Sequence, residues 1–135
     1  MSYSILIVDD SDLIRRLLRS CIEQNTDWQV CGEAENGKAA VQKVEKLHPD
    51  VVILDYQMPV MNGIEAARRI SLIAPNTAMV MFTMHNCDEL QQDARSAGIG
   101  DVLSKSDRLG DHLLASLRNV LGSSSGIRST IASGH

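Results

Sequence analysis

The sequence predicts a doubly wound α/β domain, a five-stranded parallel sheet covered by helices on both faces. Three observations carry this expectation. The chain has 135 residues, 44% of them hydrophobic, enough for one domain with a real core and too few for two ordinary ones. Short apolar runs alternate strictly with segments of helical periodicity. Val51 to Leu54 is apolar throughout, as a strand buried on both faces must be. Strict βα alternation with such strands requires right-handed crossovers and a parallel sheet.

The elements follow in order. Ser4 to Val8 is an apolar, β-branched run stopped by Asp9, Asp10 and Ser11, a strand followed by a helix start. Ile14, Leu17, Leu18, Cys21 and Ile22 then recur at helical spacing, with Arg15, Arg16, Arg19 and Glu23 on the other side. Gln29 to Ala34 reads as a strand, and Lys38 to Leu47 as a helix with Val41, Val44 and Leu47 inward, ended by a turn at His48 and Pro49. After the third strand, Ile64, Ala67 and Ile70 mark a helix that stops before Pro75, and Ala78 to Phe82 repeats the strand pattern. The fourth helix, from Asp88 to Ala97, has the poorest apolar pattern, with Leu90 and Ala94 set among polar residues. A short strand around Val102 and Leu103 precedes a last helix carrying Leu109, Leu113, Leu117 and Val120. Residues 1–121 form the domain, and the Ser- and Gly-rich 122–135 is a flexible tail, the start of a linker or a cloning remnant.

Composition excludes several functions. The net charge of −4 and an aromatic content of 3% argue against direct nucleic-acid binding, which needs clustered cations or stacking rings. Cys21, Cys31 and Cys87 form no close pair and fit buried, reduced thiols. No run approaches the roughly eighteen apolar residues of a membrane helix, and the start MSYSILIVDD has no basic segment of a signal peptide. A soluble, cytoplasmic protein is expected.

Ligands of an open parallel sheet bind at the carboxyl ends of its strands. Here the first strand runs into Asp9 and Asp10, the third into Asp55, the fourth into Thr83 and the fifth toward Lys105. Three carboxylates in one crevice repel by roughly a few kcal/mol per pair at an effective dielectric near 20. They require a cation or a proton. Oxygen donors without His or Cys select a hard ion, Mg²⁺ or Mn²⁺. A carboxylate beside such an ion, an ammonium and a hydroxyl suits in-line phosphoryl transfer. Asp55 is then the nucleophile, with Lys105 pairing one phosphoryl oxygen and Thr83 donating a hydrogen bond to another.

Taken singly, each residue has an ordinary reading. Asp9 and Asp10 can cap the first helix, as can Ser11; Asp55 can simply end a strand; Thr83 is a common β residue; most lysines are solvated charges. The joint placement at strand ends carries the inference. Met79, Met81 and Met84 read as aliphatic filler.

The set Asp9, Asp10, Asp55, Thr83 and Lys105, with ILIVDD, VVILDYQMPVMNG, FTMH and SAGIGDVLSKS, resembles the receiver domain of response regulators over residues 4 to 121. The resemblance implies a flavodoxin-like (βα)5 fold with strand order 2-1-3-4-5, an order for which receivers are themselves a standard example. It implies a metal held by Asp10, Asp55 and the peptide carbonyl of Gln57, with Asp9 acting through water. It implies a sensor histidine kinase as phosphoryl donor, self-catalysed slow dephosphorylation, and tuning of that rate by Gln57, Met84 and His85. Met58-Pro59 and Gly63 match the loop after the acceptor. The segments around Thr83 and Lys105 are similar to receivers that precede a helix-turn-helix DNA-binding domain. That similarity implies transcriptional output through a domain absent from this chain, with a homodimer possible and no direct contact of this chain with DNA or membrane.

Two positions depart from the family pattern. Val102 stands where receivers carry a switch aromatic, and Ser106 where many have Pro. Three other functions compete. A haloacid dehalogenase-type phosphatase needs a second Asp two residues after its nucleophile, where this chain has Gln57. A never-phosphorylated interaction module would not need the acidic pocket. A nucleotide-binding domain needs a Gly-rich loop after the first strand.

Overall fold

The pattern of apolar runs becomes ten elements: β1 (Ser4–Val8), α1 (Asp12–Asn25), β2 (Gln29–Ala34), α2 (Gly37–Leu47), β3 (Val51–Asp55), α3 (Gly63–Ile73), β4 (Ala78–Thr83), α4 (Asp88–Ser96), β5 (Asp101–Ser104) and α5 (Leu109–Ser133). This computed structural model describes residues 2–84, 87–105 and 109–133, without the side chains of Leu109 and of 123–133. The sheet is wholly parallel in the order β2-β1-β3-β4-β5, as expected. Among the described residues no helix is long and apolar enough to cross a membrane.

Alternation along each strand sorts the core into two layers. Leu6, Val8, Val52, Leu54, Met79 and Met81 face one side, where Ala40, Val44, Ile64, Ala67, Ile70, Leu90 and Ala94 of α2, α3 and α4 cover them. Ile5, Ile7, Val51, Ile53, Val80 and Phe82 face the other, under Leu18 and Ile22 of α1 and Leu113 and Leu117 of α5. Central strands therefore need apolar residues at every position, and the side chains of β1 and β3 supply them.

Three helices begin on side-chain caps: Ser11 accepts from the Ile14 N–H, Asn36 from Ala39 and Asn62 from Glu65. Because Ser11 caps α1, Asp9 and Asp10 are spared that role. Several sequence expectations shift. Leu17 was read as inward but is 57% exposed, since Leu18 and Ile22 define the buried stripe and Leu17 sits about 100° round the helix from Leu18. Leu47, also read as inward, sits at the rim of α2 and is exposed. Met79 and Met81 are buried as expected, whereas Met84, past the end of β4, is exposed. Cys21 and Cys31 are half-buried and Cys87 is exposed, so the expectation of buried thiols fails at Cys87.

The last helix also differs from expectation. Its backbone is helical to Ser133, past Leu121, where the apolar pattern ends.

Candidate phosphoryl-acceptor and metal site

Because every strand runs the same way, all carboxyl ends share one edge, and the chemistry gathers there. β3 sits between β1 and β4, so Asp55 at its end has Asp9 on one side and Thr83 on the other. Asp55 is level with Phe82 in the β3–β4 register, and Thr83 lies one residue further along. The Asp9 N–H donates to the Ala34 carbonyl at 3.1 Å, extending the β1–β2 pairing one step past the strand. One carboxylate oxygen each from Asp9, Asp10 and Asp55 lies within 4.8 Å of the others. Asp9 and Asp55 are buried and Asp10 is exposed.

Lys105 closes the site from the far strand. Its Nζ lies 3.3 Å from Asp9 Oδ2 and 3.2 Å from Asp55 Oδ1, bridging two acids it is far from in sequence. The ammonium also sits 4.9 Å from the centroid of the Phe82 ring, within cation–π range. The reading of this lysine as a solvated surface charge therefore fails: its side chain is 18% exposed. Backbone pairing sets it in place, since the Lys105 N–H donates to the Thr83 carbonyl at 2.9 Å.

Electrostatics show what the site demands. Burial pushes the Asp9 carboxyl above the ordinary range and outweighs the Ser11 N–H and Lys105, which pull it down. Asp55 is raised by burial first and by the charge of Asp9 second, again against Lys105. Three carboxylates and one ammonium leave a charge of −2 when all are ionised, the complement of a divalent cation. The donors are all carboxylate oxygens at a spacing one ion can span, which is hard-ion chemistry. The cluster fits Mg²⁺, or Mn²⁺, and is a metal-binding pocket of that type.

The loop after Asp55 is fixed at several points. The Gly63 N–H donates to the Tyr56 carbonyl at 2.8 Å, and the Gly37 N–H at the start of α2 donates to the Met61 carbonyl at 3.1 Å. A Cβ at Gly63 would lie 2.4 Å from the Asp55 carbonyl oxygen, so only glycine fits. Val60, at φ 71°, occupies the left-handed region that a β-branched residue avoids.

Of the remaining sequence-predicted residues, Gln57 lies exposed in this loop and Met84 is exposed past Thr83. His85 and Ser106 fall outside the described residues. Val102 is half-buried and packs against the layer beneath α2, α3 and α4. Two features escaped the sequence reading. Phe82, beneath Lys105, has no signal in the sequence to distinguish it from other strand hydrophobics. Arg15 was assigned to the solvent side of α1 with Arg16 and Arg19, yet its side chain is 13% exposed and paired with Glu33 at 2.9 Å; an acid on the neighbouring strand was the available clue.

A buried carboxylate that shares a divalent-metal pocket and a lysine at the edge of a doubly wound sheet defines a class, the metal-dependent phospho-acceptor switches. The family model for the response regulator receiver domain matches residues 5–118, and the chain belongs to that family. Among curated relatives, the protein-glutamate methylesterase/protein-glutamine glutaminase of Pseudoalteromonas atlantica is 40% identical over 107 residues, covering 78% of this chain and 28% of its own length. The chain thus spans just over a quarter of such relatives. Among solved structures, the response regulator domain of Thermotoga maritima CheB superposes with a TM-score of 0.85 at 30% identity, covering 90% of this chain and 98% of that one. A LuxR-family two-component response regulator from Aurantimonas gives the same TM-score at 27% identity, over 99% and 98% of the two chains.

The domain is therefore a phosphorylation-based receiver switch. Receivers carry out their own phosphoryl transfer and dephosphorylation and do not turn over a separate substrate, which displaces the phosphatase alternative. The topology agrees, because the buried carboxylate Asp55 ends the third strand whereas those phosphatases usually place their nucleophile after the first.

Proposed function

We propose that Asp55 is the phosphoryl acceptor and that a sensor histidine kinase in the cytoplasm is the donor. An Asp55 carboxylate oxygen attacks phosphorus in line. The bond from phosphorus to the donor nitrogen breaks, and the electron pair returns to the imidazole, which takes up a proton. Asp10, Asp55 and the Gln57 carbonyl would hold Mg²⁺, with Asp9 assisting through water, and the ion would supply charge neutralisation between the acceptor and the incoming phosphoryl oxygens. Lys105 leaves its bridge between Asp9 and Asp55 to pair a phosphoryl oxygen, and the Thr83 hydroxyl donates to another. Gln57, Met84 and His85 border the phosphoryl group and set its lifetime. The observation that carries this reading is the convergence of Asp9, Asp10 and Asp55 with Lys105 bridging two of them.

Residues 1–121 constitute the switch. The segments around Thr83 and Lys105, together with the likeness to the LuxR-family regulator over 99% of this chain, favour transcriptional output through a helix-turn-helix domain. The 40% identity to methylesterase receivers supports a second reading, an enzymatic output. Sequencing the full reading frame decides between them: a helix-turn-helix segment supports the first, a methylesterase segment the second, and the absence of both overturns both.

Intact-mass measurement after exposure to a small phosphodonor with Mg²⁺ tests the acceptor. One phosphoryl group should add to the wild type and none to Asp55→Asn, with the gain lost in chelator. Equal phosphorylation of Asp55→Asn would overturn the assignment.

A further inference from the structure

We propose that Arg15 is a positioning residue for the acidic site, its guanidinium fixing the peptide that joins Asp9 to Asp10 and so setting where the Asp10 carboxylate lies relative to Asp9 and Asp55. The inference rests on reading the trio as a metal site and concerns how its exposed member is held in place.

Arg15 reaches back one turn from α1. Its Nη1 donates to the Asp9 carbonyl oxygen at 2.5 Å, its Nε to Glu33 Oε1 at 2.9 Å, and its Nη2 to Asp12 Oδ1 at 3.2 Å. One planar fork thus spans helix, strand end and neighbouring strand, a geometry a lysine cannot copy. The Asp9 carbonyl belongs to the peptide bond that leads into Asp10. On the other side of the same residue, the Asp9 N–H is held by the Ala34 carbonyl. Both backbone polar groups of Asp9 are therefore gripped, one from β2 directly and one from β2 through Glu33 and Arg15.

Glu33 is itself firmly placed. It pairs with Ile7 in the β1–β2 register, two residues before Asp9. Its second carboxylate oxygen accepts from Arg19 Nε at 2.9 Å and Nη2 at 2.8 Å, and the Lys43 ammonium donates to its carbonyl. Burial raises the Glu33 carboxyl, but hydrogen bonds and charge from Arg19 and Arg15 outweigh it and hold the group below the ordinary range. The anchor stays ionised. By contrast Arg16, one residue along α1, is 75% exposed and, among the described residues, pairs with Asp12 alone. Arg15 is thus singled out from its neighbours by burial and by what it holds. Outer groups that orient metal ligands matter to affinity even without touching the ion.

Calorimetric titration of Mg²⁺ provides the test. If the wild-type chain binds no Mg²⁺, the metal-site reading fails and this inference falls with it. Given binding, Arg15→Met should weaken Mg²⁺ about tenfold, Arg15→Lys less, and the phosphorylation deficit of both should vanish at saturating Mg²⁺. Glu33→Gln should weaken Mg²⁺ in the wild-type background and have no effect in the Arg15→Met background, since it acts through Arg15. Unchanged affinity in a folded Arg15→Met would overturn the proposal alone, as would a Glu33→Gln effect of equal size in both backgrounds. Should Arg15→Met fail to fold by circular dichroism, Arg15→Lys and Glu33→Gln decide, and wild-type affinity in both would be equally fatal.

Discussion

The two halves of the sheet hold the site very differently. On one side, β1 and β3 have strand neighbours on both edges, their apolar side chains from Ile5 to Val8 and from Val51 to Leu54 are fully buried, and they end in Asp9 and Asp55. On the other, β5 is a four-residue edge strand without a buried residue, and α4 beside it buries only Leu90 and Ala94. The acids therefore stand on a floor that cannot shift without opening the core, whereas Lys105 follows an edge strand none of whose residues is buried. The difference teaches how a receiver can be both preorganised and mobile. The acceptor and metal ligands need fixed geometry before reaction, and the groups that answer the phosphoryl charge need freedom to move afterwards.

Core truncation should expose this asymmetry most strongly. Ile53→Ala, at the centre of β3, is expected to cost about 3 to 4 kcal/mol, and Leu103→Ala in β5 about half of that. Urea unfolding measures both, and equal losses would erase the contrast between the halves.

A smaller effect is expected from charge. Asp9 and Asp55 have raised carboxyl pKa values in the fold. Protonation is thus easier folded than unfolded, and their contribution to stability is complete below the ordinary value of 3.8 and lost as pH rises through the raised values. In chelator, thermal stability should decline over that window, and Mg²⁺ should reverse the decline. Asp55→Asn should raise the melting temperature at neutral pH without metal by roughly a few degrees; a lower melting temperature would contradict the stated cause. Glu33 has the opposite sign, being depressed: its contribution is present above the ordinary value of 4.5 and lost as pH falls through the depressed one.

The smallest change is the most informative about switching. On phosphorylation, hydrogen exchange in α4 and β5 should slow modestly while β1 and β3, already protected, stay as they are. Slowing confined to β1 and β3 would place the responsive half on the wrong side. Val102, in β5, is half-buried and packs against the core layer that Leu90 and Ala94 of α4 help to form.

Much of this was legible beforehand because the causes are local. A strand buried on both faces must be apolar at every position, so β3 could be recognised from Val51 to Leu54, and the strand ends then marked Asp9, Asp10, Asp55, Thr83 and Lys105. The strand order came with the family resemblance. The weak pattern of α4 likewise foretold its two buried residues. Periodicity is blind to partners, however, and it placed Leu17 inside and Arg15 outside. The two errors have different origins: Leu17 lies outside the narrow stripe set by Leu18 and Ile22, whereas a long guanidinium such as that of Arg15 can be buried if a strand offers it a carboxylate and a carbonyl.

By itself, then, the order of residues determined the alternation of elements and the chemical types collected at one edge, because burial on two faces and helical spacing are written along the chain. Only the tertiary structure decided that Lys105 bridges Asp9 and Asp55, and that Glu33, through Arg15, reaches the peptide between two acids. Those contacts join residues up to 96 positions apart, and a charged group's partner is settled by where the folded backbone brings it, not by its neighbours in sequence.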